Sequence, residues 1–395
     1  MNIGLLCPAS LPATQFGGIM FLCLDLAKEL SKSHNVVIYT TDMDFANNPY
    51  SFNKKLARVE KVDKFTIKRF HVWFSIKLFF INPGIYFQMK KDDLDIIHSI
   101  GIRSFQSFVA ALISKKKNIP LVISDQGGLT LDPQRENEFI NKFLRVIQSP
   151  MIKFILKQAT KISVANEYEK QIFSKHISDD RITIIKNGVN LETLIVKNKN
   201  FKENYNIEND FLLFLGRFNR VKGIDILLDA INIIKDNSLL NKIKIVIMGV
   251  DFGFENEMLQ IIKRFNLNEK IIVIKNPERE YVLSAYQQCL FLILPSRWEL
   301  SPLTPLEGFA FKKTVVSTNA YGIPFTLTNN QNSILVESEN PQKLAESILD
   351  LLSNQEKCQK FGLNGYELVH SECNSQSMAK YTLELYQKIL QNPNN

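Results

Sequence analysis

Two carboxylates stand close together in the second half of the chain. In the segment P-S-R-W-E-L-S-P-L-T-P-L-E, Glu299 and Glu307 have seven residues between them. Glu299 follows an apolar run typical of a buried strand, and Glu307 lies inside a predicted helix whose start is marked by Pro302 and Pro305. The unpaired N–H groups at that start, together with the helix dipole, favour a bound phosphate. Glu307 would then reach a sugar hydroxyl, unless both glutamates are simply solvated acids on a strand–helix connection.

Two cations lie in another predicted strand–helix connection, F-L-G-R-F-N-R-V-K-G, residues 214–223. Arg217 follows the apolar run that ends at Gly216, and Lys222 stands just before the next predicted helix. An arginine binds a diphosphate through its planar fork, and a lysine binds it as a point charge. Transfer from a nucleotide-sugar requires that the departing diphosphate be neutralised. The residues alone leave a basic surface turn as the alternative.

A pair of glycines, Gly17 and Gly18, lies between the first predicted strand and the first predicted helix. Glycine permits a positive φ and lets backbone N–H groups approach a phosphate closely. The pair does not fit the G-x-G-x-x-G fingerprint, so the sequence lends little support to a dinucleotide site. A simple turn is the alternative here.

Short apolar runs alternate with longer amphipathic segments along the chain. This alternation predicts α/β architecture with parallel sheets covered by helices on both faces. The pattern restarts after a polar stretch, residues 196–210, and a length of 395 residues also favours two domains. We therefore expect two Rossmann-like domains, 1–195 and 205–377. Ligands of such sheets bind beyond the carboxyl ends of the strands, and the cleft between the domains is the expected site.

Taken together, these motifs resemble those of the retaining glycosyltransferases of family 4, which have the GT-B fold. That fold consists of two Rossmann-like β/α/β domains facing across a cleft. The resemblance covers almost the whole chain, and five matches follow the family's order. The matching segments are P-A-T-Q-F-G-G-I-M, K-N-G-V-N (186–190), L-G-R-F-N-R-V-K-G, the E-x₇-E segment E-L-S-P-L-T-P-L-E, and T-N-A-Y-G-I-P with the following N-S-I-L-V-E.

The resemblance implies a role for each matching position. Arg217 and Lys222 would hold the donor diphosphate, Glu299 would contact the donor sugar, and Glu307 would bind the ribose hydroxyls. The other implied donor-binding positions are Gly17 and Gly18 of the N-terminal domain, Ile274 and Lys275 near the nucleobase, and the backbone N–H groups around Ser301, Leu303 and Thr304. In the family the last helix crosses back onto the N-terminal domain, so residues 378–395 are expected there.

The family's chemistry follows from the same resemblance. Its members keep the anomeric configuration by a front-face substitution in which the leaving phosphate deprotonates the acceptor. Most members need no metal, so neither a metal nor a cofactor is expected, and the nucleotide-sugar is a substrate.

The sequence departs from the family pattern at the acceptor side. Many relatives carry a histidine after the strand that here reads L-V-I-S-D-Q-G-G-L, where Gln126 stands beside Asp125. A glutamine cannot shuttle a proton but can hydrogen-bond a sugar hydroxyl. His98, at the end of the preceding predicted strand, is the second candidate for a contact with acceptor or sugar. A structural histidine with satisfied hydrogen bonds is the alternative for His98.

Basic residues are concentrated in one part of the predicted N-terminal domain. Residues 54–91 hold ten Lys and Arg against two acids, with aromatic residues interleaved, whereas the whole chain has 48 Lys and Arg against 40 Asp and Glu. Such a segment can contact an anionic membrane surface, or it can fold with its aromatic residues in the core and its lysines in water. A second basic apolar stretch, 142–161, favours the membrane. Nucleic acid is not expected as a partner.

These observations lead to one leading hypothesis and two alternatives. The leading hypothesis is a hexosyltransferase that uses a nucleotide-sugar and a glycan or polyprenyl-linked acceptor, in cell-surface polysaccharide or glycolipid biosynthesis. The alternatives are a non-catalytic GT-B scaffold subunit and a nucleotide-sugar epimerase or hydrolase. The N-terminus has no basic region before its apolar run, so we expect no signal peptide and a cytoplasmic protein peripheral to the inner face of the membrane. Five widely spaced cysteines argue against a disulfide framework.

Overall fold

The computed structural model of the chain describes residues 1–45, 48, 50–127, 129, 139–197 and 199–391, with 139–147 described by their backbone alone. The chain divides into two compact units. Unit 1 comprises Met1–Gly188 and Ser375–Asn395, and unit 2 comprises Val189–Asn374.

The elements are numbered in chain order. The strands are β1 Asn2–Leu6, β2 Asn35–Thr41, β3 Val59–Val62, β4 Phe65–Phe70, β5 Phe74–Ile76, β6 Phe79–Ile81, β7 Ile96–Ile100, β8 Leu121–Ser124, β9 Lys161–Val164, β10 Ile182–Ile184, β11 Asp210–Leu215, β12 Ile243–Gly249, β13 Ile271–Lys275, β14 Leu292–Leu294, β15 Val315–Thr318 and β16 Ser333–Val336. The helices are α1 Gly18–Leu30, α2 Gly84–Lys91, α3 Phe105–Lys117, α4 Phe139–Gln158, α5 Glu167–Phe173, α6 Phe201–Asn204, α7 Ile224–Ile234, α8 Glu255–Arg264, α9 Arg279–Gln288, α10 Leu303–Ala310, α11 Pro341–Ser353, α12 Gln355–Ser371 and α13 Ser375–Gln391.

The main sheet of unit 1 has the strand order β10-β9-β8-β7-β1-β2-β4-β3. Its strands pair in parallel, except that β3 runs antiparallel to β4 at one edge. The strand order reverses between β1 and β7, which is the topological switch point where ligands of such sheets bind. The prediction of a parallel α/β sheet is confirmed in this unit.

The sheet of unit 2 has the order β13-β12-β11-β14-β15-β16, and its strands all pair in parallel. Counted within the unit, this is the order of the Rossmann fold, with the switch point between β11 and β14. The strands are mostly apolar, as expected for a parallel sheet covered by helices on both faces. Helix α7, for example, buries Ile224, Leu227, Leu228 and Ile231 at helical spacing.

The polar stretch 196–210 predicted a domain boundary there, but the structure places the boundary between Gly188 and Val189. That stretch lies inside unit 2, and its α6 is anchored by Phe201, which is fully buried with its ring centroid 5.1 Å from that of Phe211. The Phe201 N–H also donates to Ser284 Oγ at 3.0 Å. One buried aromatic residue thus ties down a segment whose composition is typical of a linker.

Strands β3 to β6 were not predicted from the sequence. In β4 the buried positions alternate as expected for a strand, but one of them is Arg69 rather than an apolar residue. Its guanidinium donates to the carbonyls of Leu11 and Ala57 and pairs with Glu60 at 2.5 Å. These partners make burial of the charge tolerable. Because a charged residue takes one of the buried positions, the hydropathy of the segment does not alternate as it would in an ordinary strand.

Helix α4 contains much of the second basic apolar stretch, 142–161. In its described side chains, Ile152, Ile155 and Leu156 are buried in the core of unit 1. These three side chains therefore offer no apolar surface to a membrane, which corrects the expectation for them. The side chains of 142–147 lie outside the described set. No helix in the described ranges is long and apolar enough to cross a membrane.

The last helix, α13, belongs to unit 1. It packs against α1, and its Tyr386 is fully buried there. The chain thus leaves unit 1 after Gly188 and returns to it at Ser375.

Candidate functional site

The two motifs that the sequence singled out in unit 2 follow the two strands at its switch point. Arg217 and Lys222 follow β11, and Glu299 follows β14. The Lys222 ammonium donates to Glu299 Oε1, and Ser296 Oγ donates to the same oxygen at 3.3 Å. The side chains of Lys222 and Glu299 keep 20% and 18% of their surface accessible, so a ligand can reach the pair. Arg217 places its guanidinium over the ring of Phe252, 5.1 Å from the centroid.

A glycine brings the two strand ends together. Gly223 has a φ of +67°, and a Cβ there would lie 2.0 Å from the carbonyl oxygen of Pro295 at the end of β14. No side chain fits in that space. The short 3-10 turn Arg220–Lys222 can therefore lie directly against the β14 loop, where the Arg297 N–H donates to the Val221 carbonyl at 2.7 Å.

Arg297 is a site residue that the sequence analysis did not single out. Its guanidinium makes two hydrogen bonds to Asp225, at 2.6 and 2.8 Å, two to Glu339, at 2.5 and 2.9 Å, and one to the Arg220 carbonyl at 2.6 Å. Burial acts to lower the pKa of Arg297, but the hydrogen bonds and charges of the two carboxylates outweigh it and raise the pKa. This permanently charged group fixes both the turn that carries Lys222 and the loop that carries Glu299.

Glu307 lies in α10 with both of its oxygens engaged. Arg279 donates to them at 3.1 and 2.6 Å, and Tyr286 Oη donates to Oε2 at 2.9 Å. Burial, followed by the charge of Glu307, raises the pKa of Tyr286, so its hydroxyl stays protonated and donates. The Glu307 side chain is 13% exposed.

The start of α10 is suited to an anion. Pro302 precedes the helix without a side-chain cap, and the first turn has no acidic residue. The backbone N–H groups of Leu303 and Thr304 are the first of the helix, with Ser301 two residues before it. Pro302 itself has no N–H to give. Uncapped N–H groups at the positive end of a helix are what a phosphate binds.

The predicted nucleobase contacts lie elsewhere in the sheet. Ile274 and Lys275 end β13, the edge strand, which is separated from β11 by β12. Ile274 is buried in the core, and Lys275 is exposed and pairs with Glu255 at 2.9 Å. The structure thus places these two residues on a different strand from those that Arg217, Lys222 and Glu299 follow, and their contact with a nucleobase stays a prediction.

In unit 1 the glycine pair opens helix α1. Gly17 has a φ of +100°, in the left-handed region that favours glycine, and it precedes α1 without a side-chain cap. Gly18 is the first residue of the helix, whose first turn has no acidic residue. The start of α1 is therefore open in the same way as the start of α10.

His98 is buried on β7 with both ring nitrogens engaged. Nδ1 lies 2.6 Å from Tyr386 Oη on α13, and Nε2 lies 2.6 Å from Ser124 Oγ at the end of β8. Burial lowers the pKa of His98 to about 3, so the imidazole is neutral. This is the structural histidine that the sequence left open as the alternative.

Gln126 is paired through its amide with Asn187 of the K-N-G-V-N segment. Each amide donates to the other's oxygen at 3.2 Å. His98, Gln126 and Asn187 line one small cavity at the carboxyl ends of β7, β8 and β9. The structure therefore brings both predicted acceptor-side residues to one place within unit 1.

A buried carboxyl pair that the sequence analysis missed lies beside Gln126. Glu169 of α5 and Asp125 are both 1% exposed. Burial, together with the charge of Asp125, raises the pKa of Glu169 to about 8, although the Ala165 N–H that it accepts at 2.8 Å acts in the opposite direction. Glu169 is therefore protonated near neutral pH. The only sequence signal for Glu169 is an acidic residue at a position of the helix that would be expected to hold an apolar one.

Comparison with known proteins covers both units. Residues 196–368 match the family model described as glycosyl transferases group 1, and residues 16–193 match the model of Glycosyltransferase Family 4. The chain belongs to the group 1 glycosyltransferases.

Relatives of this glycosyltransferase span most of its length. It is 28% identical over 360 residues to the uncharacterized glycosyltransferase MJ1178 of Methanocaldococcus jannaschii, covering 89% of each chain. It is 24% identical over 292 residues to the capsular polysaccharide biosynthesis glycosyltransferase CapM of Staphylococcus aureus, covering 71% of this chain and 73% of CapM. Among solved structures, Anabaena HepE in complex with UDP-glucose superposes with a TM-score of 0.76 at 16% identity, covering 98% of this chain and all of HepE. The glycosyltransferase thus has the GT-B fold.

Replacing Arg297 with methionine should destabilise the glycosyltransferase by about 3 kcal/mol, because it leaves the largely buried Asp225 without its partner. The measurement is the free energy of unfolding in urea. Arg220→Met is the matched control, since Arg220 and its partner Glu257 are 60% and 49% exposed; a loss below about 1 kcal/mol is expected there. Equal losses in the two variants would contradict the role given to Arg297.

His98 should make the glycosyltransferase less stable in acid. Because the pKa of His98 is lowered to about 3 in the folded chain, the unfolded chain binds more protons below pH 6.5, and stability falls as pH falls. Between pH 7 and 5 this amounts to about 2 kcal/mol from this one group. The loss should be absent in His98→Gln when unfolding free energies are compared at the two pH values. An identical pH dependence in the wild type and the variant would refute the assignment.

Proposed function

We propose that this protein is a retaining hexosyltransferase that moves a hexose or N-acetylhexosamine from a nucleotide-sugar to a glycan or polyprenyl-linked glycan. The observation that carries the proposal is the set of groups at the switch point of unit 2. The Lys222–Glu299 pair, Arg217 and the uncapped start of α10 together offer two cations and free N–H groups to a diphosphate, with a carboxylate beside them.

The donor would be held by charge and by hydroxyl contacts. Arg217 and Lys222 bind the diphosphate, supported by the N–H groups of Leu303 and Thr304, while Glu299 contacts the donor sugar. Glu307, held in place by Arg279 and Tyr286, accepts hydrogen bonds from the ribose. HepE, which has the same fold, was solved with UDP-glucose, which supports a nucleotide-sugar as the donor class.

The reaction follows from these roles. The bond between the anomeric carbon and the diphosphate oxygen breaks, and the acceptor oxygen bonds to the same face of that carbon. The acceptor proton passes to the departing phosphate oxygen, so no protein base is required. This agrees with a neutral, fully hydrogen-bonded His98 and with Gln126 in place of a histidine, because in this mechanism neither residue accepts the proton.

Transfer should not depend on a divalent cation, because Arg217, Lys222 and the helix start supply the positive charge that the leaving diphosphate needs. The measurement is the initial rate with and without EDTA after treatment of the protein with chelating resin. We expect rates that agree within about twofold. A rate that EDTA abolishes and Mg²⁺ restores would overturn this part of the proposal.

The acceptor side is proposed on unit 1, at the carboxyl ends of β7 and β8 near His98 and Gln126. The cavity that these two residues line, about 20 Å³, has no room for a sugar, so the acceptor would bind outside it. The similarity to CapM, whose name places it in capsular polysaccharide biosynthesis, supports a role in making a cell-surface polysaccharide or glycolipid. The protein would work in the cytoplasm at the inner face of the membrane, held there by the basic segment 54–91. In the stretch 142–161, the buried residues of α4 do not contribute.

A donor panel tests the proposal. The melting temperature is measured with UDP-, GDP- and ADP-sugars, and products from the stabilising donor are identified by mass spectrometry. Stabilisation by one donor and transfer of its sugar to a glycan, with retained configuration by NMR, is the expected result. Indifference to every donor would favour a scaffold subunit, and conversion of the donor without an acceptor would favour an epimerase or hydrolase.

A further inference from the structure

The hairpin of β5 and β6 in unit 1 has apolar side chains on the face that points away from the core. Its register pairs Phe74 with Ile81, Ser75 with Phe80, and Ile76 with Phe79. Successive side chains of a strand point to opposite faces, so Ser75 and Phe80 share one face. Phe80 is buried, and this face therefore looks into the unit. The other, outward face is formed entirely by apolar residues.

Four apolar side chains of β5, of the turn and of the residue before β5 are open to water, while Phe79 and Ile81 on β6 are half-buried. Trp73 is 74% exposed, Phe74 57%, Ile76 40% and Leu78 41%. An antiparallel ribbon with one face on the core normally turns polar side chains outward. Single exposed apolar residues are common, but four within six consecutive positions form a contiguous patch of the kind that marks an interaction site.

Among the described residues, the hairpin forms a strand ladder only along its inner edges. The two strands pair through this ladder, and the Trp73 N–H donates to the Ile81 carbonyl at 2.9 Å. The sheet has two strands in the described part of the chain, so the outer edge of each strand has no ladder partner there. Open edges are excluded from the hydrocarbon core but not from the hydrated headgroup region, which limits how deeply such a hairpin can enter a bilayer.

The charges around the hairpin are positive. Residues 64–91 contain six Lys and Arg and no Asp or Glu. Two of the six, Lys68 and Arg69, are paired with Asp92 and Glu60. The others include the exposed Lys77, Lys90 and Lys91, and Lys115 and Lys116 are exposed at the end of α3, which packs against α2. A second copy of this surface would be repelled, and a neutral glycan would gain nothing from the lysines, whereas an anionic lipid surface complements them.

We propose that the outward face of the β5–β6 hairpin enters the headgroup region of an anionic lipid bilayer. Trp73 then lies at the interface, where indole rings are favoured, and the lysine stems extend toward the phosphates. The inference rests on the proposed function, because an enzyme with a lipid-linked acceptor must meet that acceptor at the membrane. It centres the contact on residues 73–78. Phe65 and Phe80 of the same basic segment belong to the core, whereas Phe87 on α2 is also exposed.

Trp73 itself reports on insertion. The chain has two tryptophans, so Trp298→Phe in the full chain leaves Trp73 as the single emitter. With phosphatidylcholine vesicles that contain phosphatidylglycerol, its emission should move to shorter wavelength and be quenched by brominated lipid. Vesicles of phosphatidylcholine alone should leave it unchanged. Binding to the anionic vesicles with no change in Trp73 emission would overturn the proposal, because another surface would then be in contact.

Variants test the two parts of the surface separately. Trp73→Ser combined with Phe74→Ser should weaken co-sedimentation with the anionic vesicles by about tenfold or more, and Lys77→Glu by about tenfold. Ile233→Ser with Leu259→Ser, at two exposed apolar positions of unit 2, should bind as the wild type does. Unweakened binding of the hairpin variant would refute the proposal, and so would a wild-type dimer that this variant dissociates.

The same variants keep this inference apart from the proposed function. Stabilisation by the nucleotide-sugar and transfer to a water-soluble acceptor should be unchanged in the hairpin variant. If no donor stabilises any variant while Trp73 still inserts, the proposed function fails and the membrane surface stands. If donors stabilise the wild type and all variants, but neither the wild type nor the unit 2 control variant binds the anionic vesicles, the membrane surface fails alone.

Discussion

Lys222→Ala should lower the turnover of the preferred nucleotide-sugar by on the order of 10²–10³-fold, the usual loss when one group that stabilises developing charge is removed. The ammonium is one of the two cations placed to meet the leaving diphosphate, and it is also the partner of Glu299. The initial rate at saturating donor gives the loss. Because the charge develops as the bond breaks, the effect should fall on kcat more than on KM.

The control for this experiment is Lys343→Ala. Lys343 also lies in unit 2 and also forms an ion pair, with Glu346, but the two side chains are 60% and 49% exposed on α11. The activity and the unfolding free energy of the Lys343→Ala variant should match those of the wild type. A Lys222→Ala enzyme that works at the wild-type rate would show that the diphosphate is bound elsewhere.

Glu307→Ala should raise the donor KM by on the order of 10²-fold, because hydrogen bonds from ribose hydroxyls to a carboxylate are worth about 1.5–3 kcal/mol. Glu307→Gln keeps an acceptor of the same size without the charge and should fall between the alanine variant and the wild type. The measurement is donor affinity by calorimetry alongside the steady-state constants.

Arg279→Met separates ligand binding from packing at this place. Glu307 pairs with Arg279 and Tyr286, so a loss in Glu307→Ala could come from releasing those two side chains. If Glu307 touches the ribose, Arg279→Met should change the donor KM by less than about tenfold, since the carboxylate remains. Equal losses in the two variants would instead make Glu307 an anchor for Arg279.

The placement of Arg217 and Glu299 just after strands was accessible from the sequence, because each follows an apolar run. That β11 and β14 are neighbours was not accessible, because it depends on the strand order of the sheet. The carboxyl ends of neighbouring parallel strands meet at one edge of a sheet, and there Lys222 pairs with Glu299.

Other features depend on contacts that a linear pattern does not contain. Arg297 lies beside Glu299 in sequence, but its role comes from Asp225 and Glu339, which are 72 and 42 positions away. His98 is occupied by Tyr386, 288 positions further along. The apolar outward face of the β5–β6 hairpin escaped prediction because aromatic residues at alternating positions look alike whether they face the core or the solvent.

The return of α13 to unit 1 bears on how the protein is made. A nascent chain emerging from the ribosome can complete unit 2 as a continuous piece, whereas unit 1 must wait for the last residues before α13 can cover α1 and Tyr386 can reach His98. An N-terminal fragment ending at Gly188 would expose that apolar face during expression. To produce unit 1 on its own, Ser375–Gln391 should therefore be joined to Gly188 through a short linker.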